Sequence, residues 1–131
     1  MTTSVRPPGK GRLRSVLSRL TAEREELVAV EEAERSAAMG GTPCALLRDR
    51  NRTTVCGVLR TVTLRPRGGV PALEAELFDG SGTLSVIWLG RREIAGIEPG
   101  RRVWVEGLVS CGHGRSVMYN PRYRLHCGTS P

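Results

Sequence analysis

Lysine and aromatic residues are scarce in this 131-residue sequence. Lys10 is the only lysine, and each of the other basic residues is an arginine. Aromatic residues make up 4% of the chain, so few side chains can stack on a flat ligand. No run of about 18 consecutive apolar residues is present, which excludes a predicted membrane-spanning helix. Arginines also interrupt the N-terminal segment where a signal peptide would need its apolar core, so we expect a cytoplasmic protein.

Motifs of familiar catalytic chemistry are absent as well. The sequence has no G-x-S-x-G, no P-loop and no H-E-x-x-H, which are the local patterns of common hydrolases, nucleotide-binding enzymes and zinc proteases. Its two histidines, His113 and His126, have no nucleophile beside them in a known local arrangement. We therefore expect a non-catalytic protein that carries no cofactor.

The four cysteines form no C-x-x-C pair. They are Cys44, Cys56, Cys111 and Cys127. Their spacing matches no standard zinc pattern, and disulfides are rare in the cytoplasm. We therefore predict no metal site and expect the cysteines to behave as small apolar residues.

Positive charge is what the sequence has in excess. The formal net charge is +7 and the isoelectric point is about 10.2. A basic chain of this size favours polyanionic partners, nucleic acid first and anionic surfaces second. A soluble protein with a charged surface would show the same balance, so charge alone does not decide between these interpretations.

The first 41 residues predict a flexible basic start followed by one amphipathic helix. Residues 1–9 are polar and end in Pro-Pro-Gly, whereas Lys10 to about Ala38 has helical periodicity. One apolar stripe consists of Leu13, Val16, Leu17, Leu20 and Leu27. Arginines occupy the front half of the helix and glutamates the rear half. We expect the stripe to pack on the rest of the protein; docking of a partner or a second copy is the alternative, although a coiled-coil pattern fails at Arg24 and Glu31.

A β-hairpin is the clearest feature of the remaining chain, residues 42–131. Residues 73–77 alternate apolar and polar side chains, and residues 84–88 are apolar with one polar break at Ser85; the two runs lie on either side of Asp-Gly-Ser-Gly. A period of two indicates strands, and Asp-Gly supplies the positive φ that a tight reversal needs. The alternation predicts an inward set of Leu73, Ala75, Leu77, Leu84, Val86 and Trp88, and an outward set of Glu74, Glu76, Phe78, Ser85 and Ile87.

Three further strands complete the predicted fold. Residues 53–64, 101–111 and 115–125 are rich in β-branched or alternating residues, and residues 91–96 predict a short helix between the third and fourth strands. Gly57 inside the first strand predicts a bulge or bend. Together these features predict a mainly β protein, a five-stranded OB-fold Greek-key barrel preceded by the N-terminal α-helix.

Three segments resemble known OB-fold domains of the anticodon-binding class. Residues 77–88 resemble the D-x-x-G hairpin found in class II aminoacyl-tRNA synthetases and in the wedge domain of the RecG-type branched-DNA helicase. Residues 99–107 resemble their P-G-x-x-V-x-V-x-G fourth strand, and residues 118–123 resemble the M-x-x-P-x-Y ending of the wedge domain. As a whole, residues 53–125 are similar to small stand-alone bacterial OB-fold nucleic-acid-binding proteins.

The resemblance implies a ligand site across strands 2 and 3, between the loops that join strands 1–2 and 4–5. Residues 65–69 and 112–115 form those loops and are basic and glycine-rich. The implied nucleic-acid contacts are Arg60, Arg65, Arg67, His113, Arg115, Arg122 and Arg124. Arginines in such loops can bind phosphates without reading sequence, although each of them could equally be a solvated charge at a loop tip.

The strand face itself is a poorer match to a stacking platform. Glu74 stands where synthetase-type domains carry an aromatic residue, and Glu74 and Glu76 would repel a phosphate backbone. Trp104 and Tyr123 are candidates for stacking on a base; packing beneath the N-terminal helix is the alternative for them. The sequence thus predicts a protein that binds DNA or RNA with low sequence specificity through its loops, with a protein-interaction adaptor as the alternative.

Overall fold

The N-terminal helix has the bounds that its periodicity predicts. The computed structural model describes residues 10–126 and the side chains of residues 16–126, and α1 spans Lys10–Ala38. The predicted flexible start at residues 1–9 lies outside the described residues, as does Cys127. A single 3-10 turn at Cys44–Leu46 follows the helix. Among the described residues, no helix has the length and apolar character needed to cross a membrane.

Six strands make up the rest of the fold. They are β1 (Arg52–Leu64), β2 (Ala72–Phe78), β3 (Thr83–Leu89), β4 (Arg102–Gly112), β5 (Arg115–Tyr119) and β6 (Arg122–Leu125). The predicted last strand is divided in two at Asn120, whose φ is +48°, and at Pro121, which has no N–H for a strand ladder. β5 and β6 therefore lie one after the other along the same edge of β4.

The strands close into a barrel. β1 pairs with β2 through its second half and with β4 through its first half, and β2 pairs with β3. A parallel pairing of β3 with β5, together with the antiparallel pairing of β4 with β5, completes the circle. Five strands in the closed order β1-β2-β3-β5-β4 are the OB-fold that the sequence predicts.

The first strand bends so that it can belong to both sides of the barrel. Val58 is the residue at which β1 changes partner, because it pairs with both Arg102 and Phe78. The bulge lies at Arg60 rather than at Gly57, since the register shifts between Leu59 and Thr61. Gly57 is needed close to the bend because β1 and β2 approach each other there. A Cβ at this position would collide with the carbonyl of Phe78.

The short helix predicted between the third and fourth strands does not form. Residues 90–101 contain turns. The Ile97 N–H donates to the Ile94 carbonyl at 3.0 Å and the Arg101 N–H donates to the Glu98 carbonyl at 3.2 Å, which makes two separate i to i+3 turns. Gly96 has a φ of +84°, which ends any helix at that point. The apolar signal came from Ile94 and Ile97, and both are buried against the barrel core.

The central hairpin has the predicted register. Its whole inward set is at most 5% exposed, and Leu73, Leu77 and Val86 belong to one core with residues of β1 and β4. The outward set is half-buried except for Ile87, which is fully buried. The alternation of the sequence therefore predicts correctly which side of the hairpin faces the barrel interior.

The prediction that the apolar stripe of α1 packs on the barrel is wrong. Val16, Leu17, Leu20 and Leu27 are between 51% and 60% exposed, and the side chain of Leu13 lies outside the described residues. Among residues 16–38 of the helix, whose side chains are described, the buried residues are Glu32 and Ser36, near its end. Two physical features favour packing through the face that carries Glu32 and Ser36. Its small alanines allow close approach to the hairpin turn, and Glu32 forms an ion pair with a partly buried cationic side chain.

Candidate nucleic-acid interface

The turn between β2 and β3 is held by the buried carboxylate of Asp79. One oxygen, Oδ1, accepts hydrogen bonds from the Ser81 N–H (2.9 Å), the Ser81 hydroxyl (2.8 Å) and the Gly82 N–H (3.0 Å). Oδ2 accepts the Cys44 N–H at 2.8 Å. A carboxylate that binds successive N–H groups fixes a turn firmly. Asp79 thereby joins the hairpin to the 3-10 turn and shapes one end of the groove described below.

The same turn also receives the helix. Gly80 has a φ of +89° and lies so close to α1 that a Cβ would collide with the Ala29 carbonyl and the Ala33 backbone N. Glycine is therefore required here both for the turn conformation and for the contact with the helix. The Asp-Gly-Ser-Gly sequence thus forms the turn of the hairpin and also provides the surface on which α1 packs.

A groove crosses the outer face of β1, β2 and β3. It has a volume of about 490 Å³, and its lining includes Thr61 and Thr63 from β1, Glu74 and Glu76 from β2, and Ser85 from β3. Arg65, just after β1, and Arg115, the first residue of β5, complete its wall. This is the position at which the fold predicts a ligand.

Three arginines converge on Glu74, a carboxylate of this groove, although Arg67, unlike Arg65 and Arg115, is not among the residues that line the groove. Glu74 Oε2 lies 3.5 Å from Arg65 Nε, while Glu74 Oε1 lies 3.5 Å from Arg67 Nη2 and 3.2 Å from Arg115 Nη2. Arg115 Nη2 also donates to the Ser85 hydroxyl at 2.8 Å. The Glu74 side chain is 11% exposed, whereas the arginine side chains are 42% to 68% exposed. Among these four residues, one negative charge meets three solvent-accessible positive charges, an excess of two, which Glu76 in the same groove reduces to one.

The repulsion expected from Glu74 is thus largely compensated within the fold. Contacts of 3.2 to 3.5 Å between a carboxylate and exposed arginines are weak. The guanidinium groups therefore keep N–H donors that can form hydrogen bonds to a further anion. Glu76 is half-buried two residues farther along β2 and lines the same groove. The sequence predicted the arginines as phosphate contacts and the carboxylates as a source of repulsion. It did not predict that the arginines would form ion pairs with Glu74.

Arg60 and His113 lie apart from this cluster. The guanidinium carbon of Arg60 is 3.5 Å from the centroid of the Phe78 ring, a cation–π contact on the outer face of the barrel. His113 is exposed at the tip of the β4–β5 turn, with a φ of +54°. Neither residue contributes to the lining of the groove, although both belong to elements that border it.

The other predicted residues form a second cavity on a different part of the surface. This cavity, of about 660 Å³, is lined by Trp104, Arg122, Tyr123 and Arg124 from β4 and β6, among others. The Trp104 Nε1–H donates to the Met39 carbonyl at 3.4 Å, just after the end of α1. Tyr123 meets the buried Trp88 edge-on, with 5.7 Å between the ring centroids. Both candidate stacking residues therefore have packing roles here, while Tyr123 remains 37% exposed.

Sequence reasoning missed the contact that attaches α1 to the barrel. Arg102 Nη1 and Nη2 donate to the two oxygens of Glu32, each at 2.7 Å. These side chains are 16% and 8% exposed, and the hydrogen bonds to Glu32 raise the pKa of Arg102. Ser36 adds a hydroxyl donor to Glu32 at 2.8 Å. A glutamate inside a run of glutamates gives no local signal that it will be buried.

Cys44 and Cys56 are buried apolar thiols, as expected. Burial raises the pKa of Cys56 to about 11, and burial together with the nearby Asp79 carboxylate raises the pKa of Cys44. Both thiols are therefore protonated and unreactive at neutral pH. Within residues 10–126, no three histidine, cysteine or acidic side chains come together in an arrangement that could hold a metal ion.

Comparisons with known proteins support the fold. No protein-family model matches the sequence, and no curated protein matches it. Among solved structures, the chain is similar to RecG in a structure of RecG bound to a three-way DNA junction, with 21% sequence identity and a TM-score of 0.53. The match covers 63% of this chain and 12% of the RecG chain. The predicted resemblance to an OB domain of RecG thus holds at the level of the fold.

Proposed function

We propose that this protein is a non-catalytic nucleic-acid-binding protein of low sequence specificity, whose OB barrel receives backbone phosphates in the groove across β2 and β3. The observation that carries the proposal is the convergence of Arg65, Arg67 and Arg115 on one carboxylate at the place where OB-folds bind ligands. Guanidinium groups bind phosphate oxygens through paired N–H donors. RecG, which shares the fold, is bound to a DNA junction in the matching structure.

The chemistry of the groove favours contacts to phosphate over contacts to bases. Its strand face presents carboxylates, threonines and a serine, with no aromatic ring among the lining residues. The groove lining therefore offers no ring for stacking, and the arginines at its edge supply the attraction. Binding of this kind depends steeply on salt and little on sequence, because it releases counterions from the nucleic acid.

The test is fluorescence anisotropy with labelled single-stranded DNA, duplex DNA, branched DNA and RNA, each at several salt concentrations. We expect binding at low salt that weakens as salt is added. The R65A/R67A/R115A variant should lose at least about tenfold in affinity for single strands, and its log–log salt slope should become shallower by about 2, from three lost phosphate contacts.

A matched control removes the same charge elsewhere. Arg35, Arg48 and Arg52 are exposed and contribute nothing to the groove lining. The R35A/R48A/R52A variant should keep most of the affinity, since only the general positive field changes. Absence of binding to every probe at low salt would refute the function, whereas equal losses in both triple variants would refute the groove as its site.

A further inference from the structure

One face of α1 is left uncovered by the barrel. The helix packs against the barrel through Ala29, Glu32, Ala33 and Ser36. At about 3.6 residues per turn, Leu20 and Leu27 lie on roughly the opposite side of the helix, and they are 54% and 58% exposed. The apolar stripe therefore points away from the only part of the described chain that α1 contacts.

The uncovered face is more apolar than a solvent-facing helix needs. Leu17, Leu20 and Leu27 border a shallow groove of about 510 Å³ together with Thr21, Glu23 and Arg24. Val16 adds a further apolar side chain that is 51% exposed. Contiguous exposed apolar residues with polar residues at the rim are typical of protein interaction surfaces.

The charge pattern of the same helix identifies what can cover this face. The front half carries Lys10, Arg12, Arg14 and Arg19. The rear half carries six glutamates and two arginines, Arg24 and Arg35, so it is acidic on balance; the glutamates are Glu23, Glu25, Glu26, Glu31, Glu32 and Glu34. A parallel helix from a second copy would place like charges side by side. An antiparallel copy would place the basic front of each helix beside the acidic rear of the other, which is the favourable arrangement.

We propose that this protein forms a homodimer in which the Val16, Leu17, Leu20 and Leu27 face of α1 pairs antiparallel with the same face of a second copy. The spacing of the leucines sets the register. With Leu20 at the two-fold axis, Leu20 lies beside its own copy and residue 27 of one helix lies beside residue 13 of the other, while residues 16 and 17 lie beside residues 24 and 23 of the second copy. Arg19 then lies near Glu23 of the second copy, on the same flank of the interface.

The dimer places the two barrels at opposite ends of the helix pair. Ser36, where α1 meets the barrel, lies sixteen residues from Leu20, so the two attachment points are about 50 Å apart at 1.5 Å per residue. The interface leaves both grooves accessible, since the groove and the stripe share no residue. Self-association is thus independent of the nucleic-acid site and can be measured without any ligand.

Sedimentation equilibrium of the full-length chain tests the proposal. The wild type should show a mass that rises with concentration toward twice the 14.3 kDa of one chain. The L17E/L20E variant should remain at the mass of one chain and should have the wild-type thermal transition at concentrations too low for the wild type to dimerise, because both leucines are exposed in the monomer. L46E/L108E is the matched control: Leu46 and Leu108 are 66% and 51% exposed on the barrel, and this variant should dimerise like the wild type.

Charge reversal tests the orientation. R19E and E23R should each dimerise more weakly than the wild type, because each places like charges across the interface. Mixing the two variants should restore the dimer, since every cross-interface contact between positions 19 and 23 is then between opposite charges. A wild type that keeps the mass of one chain at all concentrations, or an L17E/L20E variant that still dimerises, would overturn the interface. A mixture no stronger than its components would overturn the antiparallel arrangement.

Discussion

Two arginine–glutamate clusters in this protein are built from the same chemistry and differ in every other respect. In the groove, Glu74 is shared by three arginines at 3.2 to 3.5 Å, and those arginines are 42% to 68% exposed. Beneath α1, Glu32 has Arg102 as its one cationic partner, with two hydrogen bonds of 2.7 Å, and it also accepts the Ser36 hydroxyl; the Arg102 and Glu32 side chains are nearly buried. We call the first the groove cluster and the second the helix clamp.

The comparison separates a site that can bind from one that holds the fold together. In the helix clamp, each charge is matched by one opposite charge and shielded from solvent, so no capacity for another anion remains. In the groove cluster, positive charge exceeds negative charge and the donors face water. Exposed arginines without a full complement of anionic partners can bind a phosphate with little loss of existing interactions. A buried bidentate pair would have to break its own ion pair to bind another anion.

The largest effect is expected from breaking the helix clamp. Glu32→Ala leaves the Arg102 guanidinium partly buried without its counter-charge, and removal of one member of a buried pair costs about 3 kcal/mol. Urea unfolding followed by helical circular dichroism should show this loss of stability. At a temperature where the variant is still folded, its affinity for single-stranded DNA should equal that of the wild type, because the groove cluster is intact.

Glu34→Ala provides the control for this loss. Glu34 is exposed on the same helix, so its removal should change the stability by less than about 0.5 kcal/mol. If Glu32→Ala and Glu34→Ala were equally stable, the contact between Glu32 and Arg102 would be no more than a surface ion pair. The distinction between the two clusters would then disappear.

A smaller effect of opposite sign is expected from Glu74→Gln in the groove cluster. The carboxylate competes with phosphate for the same N–H donors, and its contacts to exposed arginines contribute little to their positioning. The variant should therefore bind single-stranded DNA several-fold more tightly at low salt, and its salt dependence should steepen. Anisotropy titrations beside the wild type measure both quantities.

Glu76→Gln is the matched change for this experiment. It removes the same charge from the same strand, but Glu76 makes no ion pair with any described residue. We expect a smaller gain in affinity than for Glu74→Gln, because phosphates bind at the arginines. A loss of affinity in Glu74→Gln would mean that the carboxylate positions the three arginines and does not compete with the ligand.

The parts of the structure that the sequence predicts are those that local chemistry determines. Alternation in residues 73–77 and 84–88 fixes which side chains enter the barrel, and Asp79 with Gly80 fixes the turn between the strands. Helical periodicity likewise gives the bounds of α1. In each case a short window of sequence contains both the pattern and its physical cause.

The parts that the sequence does not predict depend on contacts between distant residues. Arg115 reaches Glu74 across 41 positions and Arg102 reaches Glu32 across 70. An amphipathic stripe predicts that a helix will bury one face, yet α1 packs through the opposite face, where alanines and Glu32 fit the hairpin turn and Arg102. The helix predicted at residues 91–96 does not form for the same kind of reason. Ile94 and Ile97 lie in a turn and pack against core residues that are distant in sequence.

The smallest effect is expected on the pH dependence of stability, through Cys56. This thiol lies beside the helix clamp, so its pKa reports how well that side of the molecule excludes water. Burial raises its pKa from 9.0 to about 11, so between these values the unfolded thiol loses its proton while the folded thiol keeps it. The stability contribution of this group is therefore complete below pH 9 and is lost as the pH rises toward 11. Cys56→Ala should flatten the decline in unfolding free energy over this range. An equally steep decline in Cys56→Ala would mean that water already reaches this thiol in the folded protein.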